Sequence, residues 1–284
     1  ATLAIARVGT AAGLFGQDIL DAAVVTIVFT VFMTSFGTRF AARRITQADD
    51  DAGALGEHVL VLAPKAAVVR PLSTLVTALA RPDGGLVTPF TASTSNVTDA
   101  AGHDRENLAA LESALSQCGA DTHPVARVGV TLHTATITLA SEVKASLIVL
   151  PVDSTRFPLG ISSADDIDAI GAESRIPCIA ARMCPDPWKR IVVISGSRRD
   201  PVALADLQLT SEVAERIAAA TDAPTVVLAP TPADADPFHA LTDATDATVD
   251  DYRPRSGDAL TKLAPGDLLI APAHVVAEAG LLAR

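Results

Sequence analysis

The pattern of apolar and polar positions changes character at Arg44. Before it, Ala22 to Thr38 runs 17 residues without an ionisable side chain, and Arg39, Arg43 and Arg44 follow at once. A helix needs roughly 17–25 such residues to cross a bilayer core. A run apolar on every face reads as a membrane span, and it extends from Phe15 to Phe40 if Asp21 and Arg39 point toward the interfaces. Basic residues gather on the cytoplasmic flank of a span, which assigns the chain after Arg44 to the cytoplasm and leaves Asp18 and Asp21 as outer interfacial flanks. A secretory signal would carry its basic residues ahead of the apolar core, and here they follow it. The stretch Ala1 to Gly9 is apolar but too short to cross. It reads as the stump of an earlier membrane helix, which makes this chain the C-terminal piece of a larger protein.

After an acidic linker, Gln47 to Gly56, short β-branched and Leu runs alternate with helical spacings. His58-Val-Leu-Val-Leu-Ala-Pro64 suits a buried parallel strand. Val69 to Leu79 places Leu72, Leu75, Val76 and Leu79 on one helical face, and Arg81-Pro-Asp-Gly-Gly85 stops it. Leu86 to Thr91 is a second strand, whose Pro89 points to irregular pairing. Asp104 is placed to cap a helix through Leu108, Leu111 and Leu115 that ends at Gly119. Val125 to Val130 reads as a third strand, Thr134 to Lys144 as a helix and Ser146 to Pro151 as a fourth strand. Ser163 is placed to cap a helix whose first turn holds Asp165 and Asp166. Pro177 to Ala181 is a fifth strand. Beyond a linker at Arg182 to Trp188 the pattern restarts: a strand at Lys189 to Ser195, a helix over Asp206 to Thr221, strands at Thr225 to Ala229 and Asp267 to Ala271, and a short helix at Gly257 to Leu263. Pro230 to Asp251, rich in Pro, Asp, Thr and Ala, is expected to be only partly ordered. Alternation of this kind implies an α/β fold with open, mostly parallel sheets covered by helices, in two units of which the second is shorter.

A formal net charge of -11 argues against nucleic acid as a partner, because such binding rests on clustered Lys and Arg meeting phosphates. The three cysteines, Cys118, Cys178 and Cys184, lack the spacing of a disulfide framework or a zinc site. Cys178, inside an apolar run, reads as a small core residue. The histidines at 58, 103, 123, 133, 239 and 274 form no i, i+4 ligand pair. His58 reads as a strand-start residue, while His123 and His133 flank one strand and could sense pH near neutrality. Ser195-Gly-Ser-Arg-Arg-Asp200 reads as a surface turn, with an anion cradle built on backbone N–H groups and Arg198 or Arg199 as the alternative. No Gly-x-Ser-x-Gly elbow, Cys/His dyad or paired-carboxylate spacing points to hydrolytic chemistry. The chain is therefore read as a non-enzyme without cofactor or metal.

The order of these features resembles the C-terminal part of Kef-type monovalent cation:proton antiporters, whose last membrane helix leads into universal-stress-protein-like domains. The residues that carry the resemblance are Gly13-Leu-Phe-Gly-Gln-Asp-Ile-Leu20 before the span, Thr38-Arg-Phe-Ala-Ala-Arg-Arg44 after it, His58 to Pro64, Ser146-Leu-Ile-Val-Leu150 and Gly266-Asp-Leu-Leu-Ile270. It implies residues 1–45 as the end of a membrane domain, 46–57 as a linker, 58–183 as a universal-stress-protein-like domain of adenine-nucleotide alpha-hydrolase-like fold, and 188–284 as a second, truncated one. The implied function is exchange of Na⁺ or K⁺ for H⁺ under a cytoplasmic regulatory module. The transport carboxylates of such antiporters sit mid-membrane on broken helices, which here would lie upstream of Ala1. The implied partners are the lipid bilayer, the upstream membrane domain, a second copy of the module, and a small effector or nucleotide. The alternative is a membrane-tethered nucleotide-binding protein of the universal stress type.

In that family ATP is held by a stretch of the form Gly-x2-Gly-x9-Gly-Ser/Thr after the fourth strand. The matching stretch here is Pro151 to Ser163, and Gly160, Ser162 and Ser163 are the candidate cofactor-binding residues. It departs from the pattern in having one glycine where three let the backbone wrap phosphates. The first strand ends in Ala63-Pro64-Lys65, without the acidic residue that holds the base or ribose in those relatives. Weak ATP binding, or none, is the expectation.

Overall fold

The strand His58–Leu62 (β1) shows how the alternating pattern is spent: Val59 and Val61 face one buried cluster, Leu60 and Leu62 another. A strand apolar on both faces requires a covered parallel sheet. The computed structural model describes residues 53–64, 68–93, 98–152, 164–182, 188–196, 201–245, 247–251 and 261–278, all within one compact unit, Gly53–Arg284. The uncharged run from Ala22 to Thr38 lies outside the described residues. Among those that are described, no helix is long and apolar enough to cross a membrane.

The first sheet is built from β1, Leu86–Ser93 (β2), Asp121–Thr122 (β3), Val125–Val128 (β4), Leu147–Val152 (β5) and Cys178–Arg182 (β6). Its order is β3-β2-β1-β5-β6, with β4 also on β2, and every pairing is parallel. The helices Val69–Ala80 (α1), Thr98–Gln117 (α2), Leu132–Glu142 (α3) and Ala164–Glu173 (α4) connect these strands. A second sheet, also parallel, has the order β10-β7-β8-β9, from Arg190–Ile194 (β7), Thr225–Ala229 (β8), Thr248–Asp251 (β9) and Asp267–Ile270 (β10). Pro201–Thr221 (α5), a 3-10 turn at Pro232–Phe238, His239–Thr245 (α6) and Ala273–Glu278 (α7) belong to this half.

One hydrophobic cluster joins the two sheets. It takes Val59, Val61, Val87, Leu147 and Val149 from the first and Ile191, Val193 and Val227 from the second. Between them it takes Leu72, Leu75, Val76 and Leu79 of α1, Leu111 and Leu115 of α2, and Val213, Ala214 and Ile217 of α5. The far face of the first sheet packs Leu60, Phe90, Ile148 and Leu150 against Leu139 of α3 and Ile170 of α4. On the far face of the second, Val192, Ile194 and Leu228 meet Val275 of α7.

Several sequence expectations are corrected. The third strand is two pieces, β3 and β4, and Pro89 supplies the reason. Val87 accepts from the His123 N–H and Ser93 from the Gly129 N–H, so odd-numbered residues of β2 turn their backbone groups toward β3 and β4. Pro89 has no N–H to offer on that side, and the ladder breaks between Val87↔Thr122 and Phe90↔Val125. On its other side β2 keeps unbroken register with β1, including Val61↔Pro89. The helix expected to start at an Asp104 cap begins at Thr98, and the one expected from Asp206 begins at Pro201, where proline suits a first helical position. Pro230 to Asp251 is mostly regular structure, because Phe238 and Leu241, both with no accessible surface, anchor it in the shared core. The second sheet therefore has four strands where the sequence suggested three. Gly84, at φ 61, ends the 3-10 turn Arg81–Asp83 after α1, and Gly119, at φ 82, follows α2 as expected.

Candidate functional site

In an open parallel sheet a ligand sits beyond the carboxyl ends of the strands, where the strand order reverses. In the first sheet that point lies between β1 and β5, because the chain steps outward from β1 to β2 and then crosses back to β5. The strands end at Leu62 and Val152. Gly160, Ser162 and Ser163, the candidate cofactor-binding residues, lie outside the described residues, as does Lys65. What the described chain contributes here is buried and mostly apolar: Ala63, whose N–H donates to the Phe90 carbonyl at 2.8 Å, and Leu150, both enclosed by neighbours.

In the second sheet, the described residues show the chain itself covering the end of β7. Ser195, directly after β7, is fully buried, and its hydroxyl donates to the Asp234 carbonyl at 2.6 Å, with the Gly196 carbonyl at 3.0 Å. Thr231 Oγ1 in turn donates to Asp234 Oδ2 at 2.6 Å. The 3-10 turn after β8 is thereby folded over the end of β7. At Ser195 and Gly196 this corrects the reading of a surface turn, since both residues are buried. Arg198 and Arg199 lie outside the described residues.

Polar side chains of the described residues gather at the opposite, amino ends of the first sheet. Ser146, ahead of β5, accepts from the His58 N–H at 2.9 Å, and its hydroxyl reaches the carbonyls of Leu55 at 2.9 Å and His58 at 3.2 Å. His58 Nε2 lies 2.9 Å from Oγ1 of the buried Thr88. Burial lowers the His58 imidazole below its ordinary value against the pull of the Glu57 carboxylate, and His123 lowers it further. The strand-start reading of His58 therefore holds, with the ring neutral and hydrogen-bonded. His133, paired in the sequence reading with His123, instead stands 2.8 Å from Glu173 of α4.

Two further ion pairs were not singled out in the sequence. Arg190 of β7 and Asp267 of β10 are register partners, with Nε 3.1 Å from Oδ1, and Arg190 also donates to the Lys262 carbonyl. Burial would raise the Asp267 carboxyl, but the Arg190 guanidinium and the Ala264 N–H outweigh it and hold it below the usual range. Asp83 and Arg216 form the second pair, 2.6 Å apart. Burial again opposes the charge on Asp83, while Arg216 and the Gly56 N–H hold the carboxyl low. Residues 133 apart carried no sequence signal of meeting, and Arg81-Pro-Asp-Gly-Gly85 reads in isolation only as a helix stop. Cys178 is half-buried against the far-face core, where burial raises its thiol. Among the described residues no group of three or more His, Cys, Asp or Glu side chains is arranged to hold a metal ion.

No family model and no curated protein matches the sequence. Solved structures do. A universal stress protein from Archaeoglobus fulgidus matches 43% of this chain over 96% of its own length, at 18% identity and a TM-score of 0.37. A protein of unknown function from Pseudomonas aeruginosa PAO1 matches 80% of this chain over 96% of its own, at 14% identity and 0.46. The cytoplasmic domain of a prokaryotic cation chloride cotransporter matches 78% over 92% of its own, at 12% identity and 0.49. The chain thus has structural neighbours among universal stress proteins and a transporter's cytoplasmic domain.

Proposed function

We propose that the residues from Gly53 onward are the cytoplasmic regulatory module of a monovalent cation (Na⁺ or K⁺):proton antiporter, carried on the span read between Ala22 and Thr38. The observation that supports this reading most is the single core shared by two parallel sheets, in which the turn after β8 covers the end of β7 at Ser195 and Asp234. Among the described residues, the reversal of strand order between β1 and β5 is left as the candidate ligand position. A module of this kind acts by binding an effector, or its own twin, with different affinity in two transport states, since only differential affinity shifts an equilibrium. The transported ions would be handled outside this module.

The test is to express the complete reading frame that encodes this chain in cells lacking their own antiporters and to prepare everted vesicles. Addition of Na⁺ or K⁺ should collapse a preformed proton gradient, and truncation after Arg44 should change the cation or pH dependence of that collapse without abolishing membrane insertion. No cation-dependent collapse from the complete protein would overturn the antiporter reading. Unchanged dependence after truncation would overturn the regulatory role.

A further inference from the structure

Where the chain leads into β1, three distant parts of the sequence close over one backbone N–H. Residues 54–57 form a turn, with the Glu57 N–H donating to the Ala54 carbonyl at 2.8 Å. The Gly56 N–H donates to Asp83 Oδ2 at 2.8 Å. Arg216 Nη1 donates to that same oxygen at 2.6 Å and to the Leu79 carbonyl, in the last turn of α1, at 2.9 Å. Its other terminal nitrogen donates to Glu212 Oε1 at 2.8 Å, one turn earlier on α5. The side chains of Arg216 and Asp83 retain only 12% and 17% of their accessible surface.

The packing is tight enough to exclude any side chain from the turn. A Cβ on Gly56 would lie 2.1 Å from the Leu79 oxygen and 2.8 Å from Arg216 Nη1. One on Gly85 would lie 1.7 Å from the Gly56 oxygen. A single carboxylate oxygen therefore links the turn at 54–57 to a guanidinium on α5, and α5 is the helix that follows β7 of the second sheet. Hydrogen bonds weaken steeply beyond about 3.2 Å. A shift of α5 that carries Arg216 Nη1 out of hydrogen-bond range of Asp83 Oδ2 would leave the Gly56 N–H on a half-buried carboxylate that has lost its counter-charge.

We propose that Gly56, Asp83 and Arg216 form a latch that transmits the position of α5, and with it the second sheet, to the turn leading into β1. The consequence for regulation rests on the reading of a transporter module, in which that turn is the covalent link to the residues before Gly53. The latch itself is read on this chain without transport, so a failed exchange experiment and a failed antiport assay are distinguishable.

Amide hydrogen exchange on the full chain, solubilised in detergent, provides the test. Arg216→Met keeps the apolar stem but loses the fork. It should speed exchange in peptides spanning 53–57 by at least about tenfold while those covering β7 and β8 stay as protected as before. Ile217→Val, a small change in the buried face of α5, should speed exchange at 53–57 in the unaltered chain and add less than about twofold when Arg216→Met is present. Additive effects of the two changes, or exchange at 53–57 within about twofold of the unaltered chain, would overturn the latch. Should Arg216→Met lose protection everywhere, Asp83→Asn decides the matter, since it keeps an oxygen for the Gly56 N–H while losing the charge that holds Arg216. Acceleration confined to 53–57 supports the latch, and acceleration spread evenly over both sheets overturns it.

Discussion

Replacing Leu72 by alanine asks whether the two sheets unfold together. Leu72 has no accessible surface and sits on α1 in the cluster that also contains Ile191, Val193 and Val227 of the second sheet. Truncation forfeits the transfer energy of the lost carbons and leaves a cavity, and buried Leu→Ala changes cost about 2–5 kcal/mol depending on how far the site collapses. Helix α1 packs against β1, α2 and α5, which limits collapse, and about 3 kcal/mol is a reasonable centre. For a cooperative unit of this size each kcal/mol moves the midpoint by about 2–4 °C, so a fall of about 6–12 °C is expected. The assay uses the single tryptophan. Trp188 precedes β7 and packs partly buried against the shared cluster, so its fluorescence reports the second sheet although the cavity is made beside the first. Fluorescence and far-UV circular dichroism should fall together, with one midpoint. A Trp188 midpoint that stays within about 1 °C while the dichroism loses an earlier phase would show independent sheets and refute the shared-core argument.

Two further outcomes follow from the polar sites. Because His58 is held below its ordinary 6.5, the neutral ring is the native form; its contribution is complete above that value and is lost as pH falls through it toward the lowered native value. Urea stability should therefore drop more steeply between pH 8 and 5 in the unaltered chain than in His58→Gln, and equal slopes would refute the assignment. Titration calorimetry of the chain with ATP should show weak binding or none, since Pro151 and Pro158 offer no N–H and Gly160 is the one glycine between Pro151 and Ser163; micromolar affinity abolished by a Gly160 substitution would reverse that conclusion.

The α/β class, the parallel strands and the faces of α1 were legible in the residues themselves, because burial on one or both sides writes a period of 3.6 or a continuous apolar run directly into the chain. Pro89 announced its irregular pairing for the same local reason, a missing donor. Helix starts at Thr98 and Pro201 were not legible, since polar first turns look like loops. Nor was the segment from Pro232 to Asp251, where only Phe238 and Leu241 carry the packing within a Pro- and Asp-rich context. Of the candidate site, the sequence proposes the stretch after β5 with its shortage of glycine, and its residues beyond Val152 lie outside the described ones. The closure of Ser195 by Asp234, and the meeting of Gly56, Asp83 and Arg216, belong to the tertiary structure alone. Those contacts join residues 39, 27 and 133 positions apart. Their partners are chosen by how helices stack between two sheets, and no periodicity along the chain encodes that choice.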